Sequence, residues 1–172
     1  MTPTITDETI LITGGAGFIG SHLADALCPD NEVRIFDTFA SGVPANCPDE
    51  ATVIEGDIRD DAALAAAVDG VDIIFHEGAI VSVARSVDDP TTSHAVNVDG
   101  TLAVLEAARS ENARVVFASS AAIYGMPESI PVAETDPKEP TSPYGLEKLS
   151  GDHYCRLYAD LYGLDTVALR YF

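Results

Sequence analysis

The stretch Thr13-Gly14-Gly15-Ala16-Gly17-Phe18-Ile19-Gly20 constrains the fold of this 172-residue chain more than any other. An apolar, β-branched run, Thr9-Ile10-Leu11-Ile12, precedes it, and an amphipathic run over residues 18–27 follows, with Ile19, Leu23, Ala26 and Leu27 on one helical face. That order reads strand, glycine turn, helix. Gly14, Gly17 and Gly20 recur at every third position. Gly14 allows the tight reversal, Gly17 lets a pyrophosphate approach the backbone, and Gly20 lets the helix pack close to the strand. The free N–H groups and positive end of the new helix suit phosphate. Glycines alone also mark ordinary turns. Here the strand, the helix and a downstream acid all fall where a dinucleotide-binding unit needs them.

The acid is Asp37, at the end of a second strand read from Val33-Arg34-Ile35-Phe36. An acid there accepts hydrogen bonds from adenosine ribose hydroxyls and repels the extra phosphate of NADP; its plainer role is a strand-end turn residue. Residues 38–50 read as loop, and Thr52-Val53-Ile54 as a third strand leading into Gly56-Asp57-Ile58. Asp57 and Ile58 can flank an adenine, one by hydrogen bond and one by contact. Asp60 is equally suited to cap a helix over residues 61–68. Val71-Asp72-Ile73-Ile74-Phe75 is apolar enough for a buried parallel strand. It breaks at His76-Glu77-Gly78-Ala79, where glycine again permits close approach of a ligand. A helix over residues 91–110 follows, carrying Asn97 and Gly100, two residues that cost helix stability and so suggest a local purpose, although a plain surface Asn is the alternative. A fifth strand, 114–118, ends in Ser119-Ser120-Ala121-Ala122-Ile123-Tyr124-Gly125. A proline-rich, acidic loop over 126–143 has the length of a functional loop. A helix over 142–162 stops at Gly163, and residues 164–169 form a sixth strand. Strands alternating with helices, joined by right-handed crossovers, give one α/β domain over residues 1–172. It is a Rossmann-type doubly wound parallel sheet ordered 3-2-1-4-5-6 with helices on both faces.

Composition narrows the partners. With 28 acidic against nine basic residues the formal net charge is −19, which repels nucleic acid and anionic membranes. The acids read first as a solvated face. Only Lys138 and Lys148 are lysines, and scarce lysine with abundant aspartate also suits a halophilic protein whose self-repulsion is screened by salt. Cys28, Cys47 and Cys155 form an odd, scattered set, as in a cytoplasmic protein with reduced thiols, and the first basic residue, Arg34, comes too late for a signal peptide. The four histidines, His22, His76, His94 and His153, lack metal-ligand spacing and read as structural. No metal site is expected.

A second constellation is Tyr144-Gly145-Leu146-Glu147-Lys148 at the start of the last helix. Residues four apart share a face, so the phenol and the ammonium point together toward the strand end that carries Ser120. To act as a base near pH 7, a tyrosine needs about 4 kcal/mol of help. A nearby lysine and the positive helix end both favour the phenolate, and Ser120 can donate to the same reacting oxygen.

Together the glycine turn, Asp37, Gly56-Asp57-Ile58, Asn97-Val98-Asp99-Gly100-Thr101, Ser119 to Gly125, Tyr144-x-x-x-Lys148 and Leu169-Arg170-Tyr171-Phe172 resemble the extended short-chain dehydrogenase/reductases. Within them the chain is similar to the NAD-dependent nucleotide-sugar epimerase/dehydratases, and nearest the UDP-glucose 4-epimerases. The resemblance implies that Gly14, Gly17, Phe18, Ile19, Gly20, Asp37, Asp57, Ile58, Gly78 and Ala79 bind NAD and that Asn97 supports the cofactor region. It implies that Tyr144 is the acid/base, that Lys148 holds the nicotinamide ribose and tunes Tyr144, that Ser120 assists, and that Phe172 lies on the nicotinamide side. The implied reaction removes the sugar 4-hydroxyl proton, passes a hydride from C4 to NAD, and returns it to the other face of the keto sugar. Sugar dehydratases of this family carry Thr-Asp-Glu where this chain has Ser120-Ala121-Ala122, which favours an epimerase over a dehydratase or reductase. Family members run on for roughly as many residues again, so this chain resembles the NAD-binding half, with most of the UDP-sugar site expected beyond it. A cofactor-binding module without turnover is the other reading. The helices over 91–110 and 142–162 correspond to those that form the family's dimer contact, which implies a homodimer.

Overall fold

A computed structural model describes residues 5–127 and 129–172; Glu128, within the 126–143 loop, lies outside them, as do residues 1–4. Six parallel strands run in the order β3-β2-β1-β4-β5-β6. They are β1 (Thr9–Thr13), β2 (Glu32–Asp37), β3 (Thr52–Glu55), β4 (Ile73–His76), β5 (Arg114–Ser120) and β6 (Thr166–Tyr171). The order reverses between β1 and β4, and there the carboxyl ends of the strands open a crevice, the ligand position of such sheets. The expected fold class and strand order are those observed.

Helices α1 (Phe18–Leu27) and α2 (Asp61–Val68) occupy the residues read from their periodicity, and Asp60 caps α2 by accepting from the N–H groups of Ala62 and Ala63. The buried face of α1 differs from the reading: Gly20 and Ala24 are buried, whereas Ile19 and Ala26 are exposed. A Cβ on Gly20 would stand 2.5 Å from the Gly14 carbonyl oxygen. The helix therefore lies tight on the glycine turn, and Ile19 is rotated outward. Val83–Asp88 (α3) is a helix not anticipated; Ser82 caps it, and the Asp89-Pro90 pair closes it and starts α4 (Pro90–His94). The single helix expected over 91–110 is an interrupted rod. α4 runs into a π-helical turn, Ala95–Asp99, and then into α5 (Gly100–Glu111). α6 (Pro143–Tyr162) ends at Gly163 as expected.

The sixth strand starts two residues later than the 164–169 reading, at Thr166. Gly163 adopts φ +70° and its N–H bonds to the Ala159 carbonyl, while Leu164 N–H bonds to that of Tyr158. Leu164, 4% exposed, is thus the apolar residue that seals the helix end, and pairing begins only beyond it. On one face of the sheet Leu11, Ile74, Val115 and Phe117 pack against α2, α5 and α6. On the other, Ile10, Ile12, Val33, Ile35 and Phe75 pack mainly against α1. Val53 and Leu169, which alternate to that second face, remain 45% and 42% exposed. All three cysteines are free, and burial pushes the Cys155 thiol up to about 12.

Candidate active site

The glycine turn joins β1 to α1 through Gly14, whose φ of +66° only glycine takes without strain. Its N–H donates to the Phe36 carbonyl at 2.8 Å, and a Cβ on it would meet Gly78 N at 2.7 Å, so β1, β2 and the end of β4 converge there. No side chain caps α1 and no acid lies in its first turn. Its N–H groups are therefore available to an anion lying against Gly17. Asp37 closes β2, and its carboxylate accepts from Ala16 N at 3.0 Å and Phe39 N at 2.8 Å. The acid is thereby fixed beside the turn while still lining the crevice. Asp57 is held at its mouth by Arg59, whose Nε and Nη2 donate to it at 2.9 and 2.6 Å. That pairing keeps the Asp57 carboxyl below its usual range.

At the opposite end, Ser142 caps α6 by accepting from Gly145 N at 3.1 Å, and Pro143 occupies the first turn. The start of α6 is further tied by Tyr144 N–H donating to Ser86 Oγ at 3.1 Å. Ser120, the last residue of β5, accepts from Ala122 N at 3.1 Å and so starts a 3-10 turn, Ala121–Tyr124. The end of β5 is steadied from behind by Asp152, which is 4% exposed; it accepts from Ser119 Oγ at 3.3 Å and from Arg170 Nε at 3.0 Å. Arg170 also donates to the Tyr124 hydroxyl at 2.7 Å and to the Glu134 carbonyl, which pins the 126–143 loop. Lys148 is buried, donates from Nζ to the Ala118 carbonyl at 2.8 Å, and lies 4.9 Å from the centre of the Phe117 ring. Burial lowers its pKa to about 8, against the opposing pull of Glu77 and Glu147.

Tyr144 is held above its ordinary value, by burial first, with the Glu147 charge adding to the rise and the Ser120 hydroxyl pulling the other way. The sequence reading had Lys148 and the helix end lowering it. Burial and the Glu147 carboxylate outweigh the Ser120 hydroxyl, and the Lys148 ammonium donates to the Ala118 carbonyl.

The two ends belong to one cavity of about 790 Å³, a size suited to cofactors. Gly14, Gly17, Phe18, Ile19 and Gly20 line one end, and Asp37, Asp57 and Ile58 the adjoining wall. Gly78 and Ala79 line the middle, and Ser120, Tyr144 and Lys148 the far end. Two expected residues are not among the lining. Asn97, 2% exposed, lies behind the wall, and Phe172, 87% exposed, stacks on Tyr124 with ring centres 6.3 Å apart. Glu77 and Tyr171, to which the motifs gave no role of their own, also line the cavity. Tyr171 donates to Glu77 Oε1 at 3.1 Å, and burial raises the Glu77 carboxyl and pushes the Tyr171 phenol up to about 12. The position of Glu77 directly after an apolar strand was the available signal. A separate open hollow beside α1, reaching His22 and Asp25, shares only Phe18 with the cavity.

The middle of the wall is positioned by buried polar groups. Gly78 N–H donates to Thr13 Oγ1 at 3.2 Å, and Thr13 Oγ1 contacts His76 Nδ1 at 2.7 Å. His76 Nε2 contacts Thr101 Oγ1 at 3.0 Å, and Thr101 donates onward to the Asn97 carbonyl at 2.7 Å. With its only proton spent, Thr101 must accept from His76, so the imidazole carries its proton on Nε2 and accepts from Thr13. Burial and the Lys148 charge lower the His76 pKa to about 3, which keeps it neutral. Among the described residues no cluster of His, Cys, Asp or Glu could hold a metal ion, and no helix is long and apolar enough to cross a membrane.

Comparison with known proteins agrees with this geometry. The model of the NAD dependent epimerase/dehydratase family matches residues 10–172. The chain is 42% identical over 166 residues to a putative UDP-glucose 4-epimerase of Methanocaldococcus jannaschii, covering 94% of this chain and 54% of that one. It is 40% identical over 167 residues to a UDP-glucose 4-epimerase of Streptomyces lividans, covering 94% and 51%. Among solved structures, UDP-N-acetylglucosamine 4-epimerase from Methanobrevibacter ruminantium M1, in complex with UDP-N-acetylmuramic acid, superposes with a TM-score of 0.94 at 39% identity, over 98% of this chain and 56% of that one. The Brucella ovis UDP-glucose 4-epimerase in complex with NAD gives 0.92 at 37% identity, over 96% and 52%. The chain spans about half the length of the curated relatives it matches. Because the family match covers nearly the whole chain and the glycine turn, Asp37, Tyr144 and Lys148 meet in one crevice, the chain belongs to the NAD dependent epimerase/dehydratase family.

Proposed function

We propose that residues 1–172 form the NAD-binding domain of a nucleotide-sugar 4-epimerase of the UDP-glucose/UDP-galactose type, with most contacts to the UDP-sugar made by polypeptide outside them. The observation that carries this reading is one cavity with an uncapped helix N-terminus and Asp37 at one end and Ser120, Tyr144 and Lys148 at the other. The residues fit a dinucleotide: a glycine cradle with no room for a Cβ, a carboxylate for ribose hydroxyls, and a buried lysine beside a tyrosine. Asp37 favours NAD over NADP. NAD bound there supplies a hydride acceptor and donor and a cationic ring. Tyr144 takes the proton of the sugar 4-hydroxyl and later returns it. Ser120 donates a hydrogen bond to the same oxygen. Lys148 supplies positive charge at that end and binds the nearby ribose.

Ser120-Ala121-Ala122 offers no acid or base for eliminating water, which favours epimerisation over dehydration. The half-length match supports a second reading, a cofactor-binding module without turnover. A homodimer through the outer faces of α5 and α6 is supported by the exposure of Leu157 (47%) and Leu161 (67%) on α6. The charge of −19 supports a halophilic protein, and the three free thiols support a cytoplasmic one.

The test starts from the protein purified from its native source, with its intact mass measured and NAD and UDP-galactose added in high salt. NAD binding with conversion to UDP-glucose is the expected result. NAD binding with zero turnover selects the module reading, and absence of NAD binding overturns both.

A further inference from the structure

Residues 78–80 line the cavity yet belong to no strand; a side chain holds them instead. Ile80 N–H donates to Asn97 Oδ1 at 2.8 Å, and Asn97 Nδ2 donates back to the Ile80 carbonyl at 3.0 Å. Asn97 thus supplies the pair of bonds a neighbouring strand would make. It can do so because it sits in the π-helical turn Ala95–Asp99, which directs it at this segment from within a long helical rod. The Ile80 N–H and C=O fix the amide in one orientation, which uses Oδ1 and one Nδ2 hydrogen and leaves the second Nδ2 hydrogen to be met.

The group that meets it is Glu147. It is 3% exposed, and it does not line the cavity. Its Oε2 accepts from Asn97 Nδ2 at 2.7 Å and from the Ser93 hydroxyl at 2.7 Å. An ionised carboxylate can only accept. It therefore holds the Asn97 NH₂ on the α6 side, the same orientation that the Ile80 pair requires, and ties that pair to α6. Glu147 also lies in the stretch of α6 that carries Tyr144 and Lys148. We propose that Glu147 is a positioning residue that, through Asn97, locks the cofactor-facing segment 78–80 to the helix bearing Tyr144 and Lys148. The two ends of the cavity thereby keep one spacing. This rests on the NAD-binding reading above.

The experiment compares the protein as the cell makes it with its E147A and E147Q variants. It uses residue-resolved amide hydrogen exchange by NMR without cofactor, and calorimetric titration with NAD and with AMP. In E147A the Ile80 amide exchanges at least tenfold faster while the β1 amides keep their rates. NAD binds about tenfold more weakly, and AMP, which needs only the Asp37 end, stays within twofold. In E147Q, which keeps an oxygen but not the acceptor-only character, Ile80 exchanges two- to fivefold faster. An Ile80 rate unchanged in E147A, a rise shared equally by β1, or equal losses of NAD and AMP affinity overturns the proposal. If E147A does not fold, E147Q at the wild-type Ile80 rate overturns it. If the parent protein binds no NAD, the cofactor reading fails, and the exchange rates alone decide the coupling.

Discussion

Two side chains carry the sharpest expectations at the scale of single residues. Tyr144→Phe removes the hydroxyl to which the proposed function gives the proton transfer and leaves the ring packing in place. Epimerase turnover is expected to fall by about 10²–10⁴-fold, with NAD affinity within about threefold, measured by coupled UDP-glucose formation and by titration. His76 gives a pH dependence. Its folded pKa, about 3, lies below the ordinary value of 6.5 because it is buried. The unfolded chain thus takes up a proton below pH 6.5 that the folded protein refuses. The contribution is intact above that pH and is lost as pH falls from 6.5 toward 3. Urea unfolding at pH 6.5 and 5 should show the parent losing about 2 kcal/mol more than His76→Gln over that interval. Spacing made Tyr144, Lys148 and Asp37 legible in the sequence, because each has a fixed position relative to a strand or helix end. The supporting bonds of Glu147 and Thr101, behind the cavity wall, were not legible, since they depend on partners roughly 50 and 25 residues away. The direction of the Tyr144 pKa was misjudged for the same reason: burial and the placement of the Lys148 ammonium are properties of packing, not spacing.

Among the elements, those with a single period and a chemical stop were read almost to the residue. α1 and α2 have a glycine turn and an aspartate cap, and α6 has Ser142 and Gly163. The π-helical turn escaped because an inserted residue leaves composition and periodicity nearly unchanged; only the cost of Asn97 and Gly100 within a helix hinted at it. The start of β6 was misplaced because Leu164 is apolar for the helix stop, not for the sheet. The Ser142 cap does double duty, since it also fixes the turn of α6 that carries Tyr144. Ser142→Ala is expected to cost about 1 kcal/mol in chemical denaturation, and to lower turnover more than it weakens NAD binding.

For the whole molecule, charge and apolar surface pull against each other. A net charge of −19 opposes the compact state. Raising KCl from about 0.1 to 1 M shortens the screening length from about 10 to 3 Å. The melting temperature should then rise by at least about 5 °C, at one protein concentration, by calorimetry. Equal molar sucrose, which leaves charges unscreened, should give a smaller rise. The sheet face bearing Val53 and Leu169 is only partly covered. The same salt should therefore increase self-association, visible as a growing sedimentation coefficient. Glutamate substitution of Leu161 tests whether that association uses α6 instead. The fold was legible at this scale because an alternating βα pattern admits few topologies, whereas the uneven cover of the two faces follows from which crossover carries a helix.

The chain of bonds from Gly78 through Thr13, His76 and Thr101 to Asn97 runs in one direction, because it begins at a backbone N–H and ends at a backbone carbonyl. It cannot reverse, so the imidazole has one tautomer and a ring proton shielded from solvent. Such a proton should give a persistent Nε2–H resonance in ¹⁵N-edited spectra that neither titrates nor broadens between pH 5 and 9. That one signal, read in crude preparations and without added ligand, would report whether the wall between the glycine turn and the Tyr144 end of the cavity has formed.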